Sequence, residues 1–125
     1  MTDSLREKLV NTCAPVAPLY LSETELDSYP YVVYDMTTDP VITKDGIAGY
    51  KGDTSIRIVG QDLEALDTIR AGIESAISLG MHDSFFGSNL TEITKECDNG
   101  IWTIELTYTL KQYADWAPTV EQNNE

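Results

Sequence analysis

The strongest constraint on the fold is a hairpin signal near the end of the chain. The run Asp98-Asn99-Gly100 separates two β-prone segments, Leu90 to Cys97 and Ile101 to Tyr113. Asn-Gly in this position favours a tight turn, because both turn residues need a positive φ. In the second segment polar residues alternate with apolar ones, namely Trp102, Ile104, Leu106, Tyr108 and Leu110. This alternation predicts a strand with one buried face and one wet face.

Two helices are predicted by apolar spacing and by end signals. Ser4 and Glu7 form a capping box, and the first helix runs from about Leu5 to Ala14, where Pro15 and Pro18 end it. Asp62 caps the second helix, and Gly80 provides its C-terminal stop. The apolar stripe of this second helix consists of Leu63, Leu66, Ile69, Ile73 and Ile77.

Two further strands are predicted in the first half of the chain. Residues 31–36 are rich in β-branched and aromatic side chains, and Thr54, Ile56 and Ile58 alternate with polar residues. Between these strands, Thr37 to Asp53 contains Pro40, Gly46, Gly49 and Gly52, which predicts a long hairpin-like excursion outside the packed core. Loops of this length are uncommon unless they are functional. The segment from Leu19 to Ser28 is predicted to be an exposed connection.

These elements predict an α+β fold in the order α-β-β-α-β-β. A mostly antiparallel four-stranded sheet, with two helices packed on one face, would bury all of the apolar stripes. The chain has 125 residues, which favours a single domain over residues 1–125. We expect an ordered core over about residues 4–113 and a polar C-terminal tail over residues 114–125 that lacks order unless Trp116 docks it.

The charge balance argues against nucleic acid as a partner. The chain has 21 Asp and Glu residues against 8 Lys and Arg residues, a formal net charge of -13. Binding to phosphates requires a field of the opposite sign.

No signal peptide and no run of about 18 apolar residues occurs, so we expect neither export by that route nor a membrane span. Cys13 and Cys97 are expected to be free thiols, although the sequence leaves a disulfide open.

The sequence lacks the patterns of the common catalytic and cofactor sites. Neither Gly-rich nucleotide motif occurs, the cysteines do not cluster as zinc ligands, and residues 39–52 do not supply a calcium loop. The only histidine, His82, adjoins Asp83 and Ser84, but a catalytic triad joins separated positions. We therefore expect no enzyme activity, no cofactor and no metal. One alternative is a small ligand-binding domain or enzyme with a pocket near Tyr34, His82 or Trp102; another is a generic acidic adaptor for other proteins.

The order of elements, together with four stretches of sequence, resembles a known family. The stretches are the Pro-Tyr-Val-Val-Tyr strand at Pro30 to Tyr34, the strand from Asp53 to Ile58, the helix register Leu66-Asp67-Thr68-Ile69, and the final hairpin. From Leu5 to Lys111 the chain is similar to the tail completion and tail terminator proteins of long-tailed bacteriophages. It departs from them in an acidic segment, Glu23 to Asp27, and in the polar tail after Pro118.

The resemblance implies a structural role without catalytic residues. Members of the family cap the growing tail tube, typically as a six-fold ring, and present a surface to the head connector. The implied partners are other copies of the chain, the tail tube and the connector, at the head-tail junction of a virion assembled in the bacterial cytoplasm. Candidate contacts are the wet face of the last hairpin and six residues of the long excursion: Asp39, Lys44, Asp45, Ile47, Tyr50 and Lys51.

Overall fold

The computed structural model describes residues 2–21, 28–44, 46–83 and 85–113. The described residues form two helices and one five-stranded mixed sheet. In chain order the elements are α1 (Thr2–Cys13), β1 (Leu19–Leu21), β2 (Tyr31–Thr43), β3 (Gly46–Gly60), α2 (Leu63–Gly80), β4 (Phe86–Asp98) and β5 (Ile101–Tyr113).

The strands lie in the order β1-β2-β3-β5-β4. The short β1 pairs in parallel with β2, and every other neighbouring pair is antiparallel. The turn between β4 and β5 has φ values of 55° at Asn99 and 82° at Gly100, as the Asn-Gly signal predicts. The register shifts between Val41 and Ile42 and again between Leu90 and Glu92, each a bulge in its ladder.

Both helices pack on the same face of the sheet and enclose one hydrophobic core. The predicted alternation is confirmed in β3 from Gly52 to Gly60 and in β5 from Ile104 to Gln112, where every second residue is buried. The remaining side chains project to what we call the open face, the sheet face opposite the helices. The fully buried large side chains are Leu5, Leu9, Val32, Ile56, Ile58, Leu66, Ile73, Ile77, Met81, Ile104, Leu106 and Leu110.

Close approaches at glycine let the helices lie near the sheet and near each other. A Cβ atom placed on Gly52 of β3 would lie 2.9 Å from Leu5 Cδ2, so α1 crosses β3 at a position without a side chain. A Cβ on Gly80 would lie 2.7 Å from Thr12 Cγ2, which brings the end of α2 against α1. These distances leave no room for a methyl group without movement of the neighbour.

An ion-pair network joins α2 to β4. Asp67 Oδ1 lies 3.3 Å from both Lys95 Nζ and Arg70 Nε, and Arg70 also contacts Glu74. Partial desolvation opposes ionisation of Asp67, but the hydrogen bonds from Lys95 and Arg70 outweigh it and hold the pKa of that carboxyl below its usual value. This network links the first half of α2 to the edge strand β4.

The predicted strand count was too low by one. Leu19–Leu21, expected to be an exposed connection, is the parallel edge strand β1, and its first residue is buried. The predicted excursion from Thr37 to Asp53 is also wrong in part, because β2 continues to Thr43 and β3 begins at Gly46. The sheet therefore has five strands and one parallel pair.

Three of the four helix ends lie within one residue of their predicted positions, and α1 ends at Cys13, next to the predicted Ala14. Asp62 caps α2, and its Oδ1 accepts a hydrogen bond of 3.1 Å from the Glu64 N–H, as predicted. The second helix ends at Gly80, as predicted, although Gly80 is its last helical residue and Met81 occupies the cap with a φ of -127°. The first helix begins at Thr2, before the predicted capping residue Ser4. The tail with Trp116 and the acidic segment from Glu23 to Asp27 lie outside the described residues.

Candidate functional site

The hairpin of β2 and β3 extends beyond the other strands that the structure describes. In the described part of the chain, β5 accompanies β3 as far as the pair Gly49 and Tyr113. In that part Ile42 pairs only with Ile47 and Thr43 only with Gly46, and we call residues 41–44 and 46–48 the tip. The Thr43 hydroxyl donates to the Gly46 carbonyl at 3.0 Å and closes the turn, and Gly46 has a φ of 113° that favours glycine.

The tip exposes branched apolar side chains. Ile42 is 71% exposed, Ile47 is 51% exposed, and Val41 is 43% exposed. Ile42 and Ile47 are also direct partners in the ladder, so their side chains lie side by side at the end of the hairpin. A projecting group of apolar side chains is typical of a contact surface for another molecule.

The six predicted contact residues are distributed along this hairpin. Lys44 and Ile47 lie on the tip and are exposed, whereas Asp39 and Lys51 face each other nearer the core. Tyr50 is half-buried opposite Pro40. Asp45 lies outside the described residues. The prediction of these positions as contacts stays a prediction, since their placement alone does not identify a partner.

Sequence reasoning missed the most exposed apolar residue of the tip. Ile42 and its neighbour Val41 stand between Pro40 and Thr43, inside a segment interpreted as a polar excursion. The available signal was the pair of consecutive branched apolar residues, Val41 and Ile42, in this segment. They indicate either a continued strand or a buried contact, and the structure shows the strand.

The open face, which includes the predicted wet face of the last hairpin, carries charged and hydroxyl side chains on β3 and β5. Arg57 Nη1 lies 3.8 Å from Glu105 Oε2, and the Ser55 hydroxyl donates to the same carboxylate. A shallow depression of about 180 Å³ nearby is lined by Asp35 and Asp53 together with hydroxyl side chains. Among the described residues, no group of three or more His, Cys, Asp or Glu side chains is placed to hold a metal ion.

A second concave site lies between α2 and the strands β4 and β5. This cavity of about 300 Å³ is lined by Glu74, Ile77, Ser78, His82, Ser88, Asn89, Leu90 and Tyr108. Of the three residues predicted to lie near a pocket, it contains His82 but not Tyr34 or Trp102. Burial raises the pKa of the Tyr108 phenol above its usual value, and the nearby Glu74 carboxylate adds to this effect. Tyr108 is therefore a neutral hydrogen-bonding group at physiological pH.

The two cysteines are free thiols in different surroundings. Cys13 is fully buried in the core, and burial raises the pKa of its thiol to about 12. Cys97 is exposed near the end of β4. Thiolates are the reactive form, so the raised pKa keeps Cys13 unreactive. Cys97 is exposed and is therefore the accessible thiol of the folded chain.

Helices long and apolar enough to cross a membrane are absent from the part of the chain that the structure describes.

Comparison with known proteins identifies the fold. No family model matches the chain, and no curated protein sequence matches it. Among solved structures, a chain of the virion of a native gene transfer agent particle is similar, with a TM-score of 0.58 and 10% sequence identity. The match covers 88% of this chain and 92% of that chain. The two chains therefore share a fold over almost their whole lengths.

Proposed function

We propose that this chain is a structural protein of a phage or phage-like virion, which completes the tail tube and joins it to the head. The observation that carries the proposal is the fold shared with a chain of a gene transfer agent particle, over 92% of that chain. A match of this extent involves the whole arrangement of helices and sheet. The sequence resemblance to tail completion and tail terminator proteins points to the same class.

The proposed form is a ring of identical copies, six as in the family that the sequence resembles, at the head-tail junction of the virion. Its partners would be neighbouring copies, the tail tube and the head connector, and its work would require neither catalysis nor a cofactor. The projecting tip supports an assembly role, because Ile42 and Ile47 are exposed where a neighbouring protein could bury them. Assembly would take place in the bacterial host cytoplasm.

Deletion of the gene from the phage or prophage that carries it tests this proposal. Mass spectrometry of purified wild-type particles should detect the protein. Electron micrographs of the deletion lysate should show separate heads and tails, or tails of irregular length. Absence of the protein from purified particles, or normal joined particles in the deletion lysate, would refute the proposal.

Substitutions at the tip test its part in assembly. The double variant Ile42→Ser and Ile47→Ser should fold normally, because both side chains are exposed, but should fail to restore infectious particles to the deletion strain. Leu79→Ser is a matched control, since Leu79 is 84% exposed at the end of α2. Circular dichroism and thermal unfolding check the fold. Equal complementation by the tip variant and the control would remove the tip from the assembly surface.

The cavity between α2 and β4 supports a second candidate, a small-ligand site. Its volume of about 300 Å³ is at the lower end for small-molecule sites, and it places His82, Glu74 and Tyr108 around one space. A ligand bound by the folded state would raise the unfolding temperature. A panel of metabolites should then include one that stabilises the wild type but not His82→Ala. A flat response across the panel would count against this candidate.

A further inference from the structure

An apolar cleft lies at the end of the sheet opposite the tip. Its volume is about 250 Å³, and its lining includes Val16, Pro18, Tyr20, Pro30 and Ile69. These residues come from the turn after α1, the edge strand β1, the start of β2 and the middle of α2. The cleft is smaller than typical small-molecule sites, which span roughly 300–1,000 Å³, and suits one or two aliphatic side chains.

The tip and the cleft of one molecule are too far apart to meet. Tyr31 borders the cleft and Ile42 lies at the tip, eleven positions further along β2. At a rise of about 3.3 Å per residue, these positions are roughly 36 Å apart. A tip can therefore enter only the cleft of another molecule.

The charges of the two ends favour a head-to-tail contact. Lys44 and Lys111 lie exposed in the half of the sheet that ends in the tip, whereas Lys51, in the same half, lies 4.0 Å from Asp53 Oδ1. In the other half the basic side chains Arg57, Arg70 and Lys95 each contact a carboxylate.

The end of the molecule that holds the cleft also carries exposed carboxylates. Asp62 and Glu64 stand at the start of α2, and Glu96 and Asp98 stand at the end of β4. The exposed Lys44 of the tip is thus complementary to these carboxylates, whereas two cleft ends would repel each other.

We infer that the tip of one copy occupies the cleft of the next copy, with Ile42 and Ile47 covered by Tyr20, Pro30 and Ile69. This inference rests on the proposed function and names the receiving surface of the neighbouring subunit. Because the two surfaces differ, the contact is heterologous, and its repetition closes a ring when the rotation fits.

Cysteine cross-linking of the full-length protein tests the contact. Tyr20→Cys and Ile42→Cys are combined in a Cys97→Ala background, which removes the accessible native thiol. Cys13 is left in place because it is fully buried. A short bismaleimide should convert this variant into a ladder of multimers on denaturing gels, both in solution at concentrations where assemblies form and in purified particles. The two single-cysteine variants should give no ladder.

A matched pair separates a specific contact from random collision. Ile42→Cys with Leu79→Cys presents two exposed thiols, but Leu79 is not part of the cleft lining. This pair should remain uncross-linked. Particles that contain the protein but yield no ladder from the Tyr20 and Ile42 pair would overturn the inference and leave the proposed function intact. Particles that lack the protein altogether would overturn the proposed function, and the inference with it.

Discussion

Asp83 fixes the turn between α2 and β4. Its Oδ1 accepts hydrogen bonds from the backbone N–H groups of Phe85 and Phe86, at 2.8 and 2.9 Å, and its own N–H donates to the Phe86 carbonyl. The two bonds to the carboxylate hold the pKa of Asp83 below its usual value. A single side chain thus directs the chain from the helix into the edge strand.

The pH dependence of stability should report on this carboxylate. A folded pKa below the unfolded value, about 3.9, means that the contribution of Asp83 to stability is present above about pH 4 and is lost as pH falls through the folded pKa. Asp83→Ala should therefore lower the urea midpoint at neutral pH, and the difference from wild type should shrink on acidification. Asp39→Ala, at an exposed position of β2, is the control and should change the midpoint little. A difference that does not depend on pH would contradict this account.

Residue roles were predictable from sequence where the signal is local. Asp62 precedes an apolar stripe of helical period, and this pattern alone predicts its capping role. The role of Asp83 depends on how the chain turns after α2, which no periodicity encodes. In the turn that Asp83 fixes, Phe86 is buried and Phe85 is 40% exposed.

At the scale of elements, the close packing of α1 on β3 depends on the absence of a side chain at Gly52. A Cβ atom on Gly52 would lie 2.9 Å from Leu5 Cδ2 and 3.3 Å from Met36 Sδ, and both of these side chains are buried. Gly52→Val should therefore displace α1 from β3 and lower the free energy of unfolding by about 1–3 kcal/mol, the usual cost of overpacking. Urea denaturation measures this loss.

A double-mutant cycle tests whether the loss arises from crowding. Leu5→Ala removes the side chain that the new valine would meet, so Gly52→Val should cost less in that background than in the wild type. Equal costs in both backgrounds would show that the effect of the valine lies elsewhere in the strand.

The elements themselves were predictable to different degrees. The alternation in β5 and the stripe of α2 extend over many residues, and both predictions are confirmed. Three residues of β1 are too few for any alternation to be visible. Pro40 argued against a strand, but β1 pairs with β2 only from Val32 to Tyr34. Pro40 therefore lies where β3 is the one described neighbour of β2, and a strand with a free side tolerates proline.

At the scale of the whole molecule, the two ends of the candidate assembly surface differ in how well they could be predicted. The hairpin is continuous in sequence, so its glycines and its length indicated a projecting segment. The cleft collects side chains from α2, β1, β2 and the turn after α1, and it exists only because the fold brings these four segments together. No pattern within any one of them marks it.

The net charge of -13 predicts how assembly should respond to salt. Copies with this charge repel one another, and about 0.1 M salt shortens the range of that repulsion to about 10 Å. Sedimentation velocity should therefore show more assembly as ionic strength rises from about 0.02 M to 0.3 M, because one cation at each tip cannot offset the overall repulsion. Lys44→Glu should weaken assembly mainly at low salt, whereas Ile42→Ser should weaken it at every salt concentration. Assembly that declines with added salt would mean that ion pairs, rather than the apolar side chains of the tip, hold the copies together.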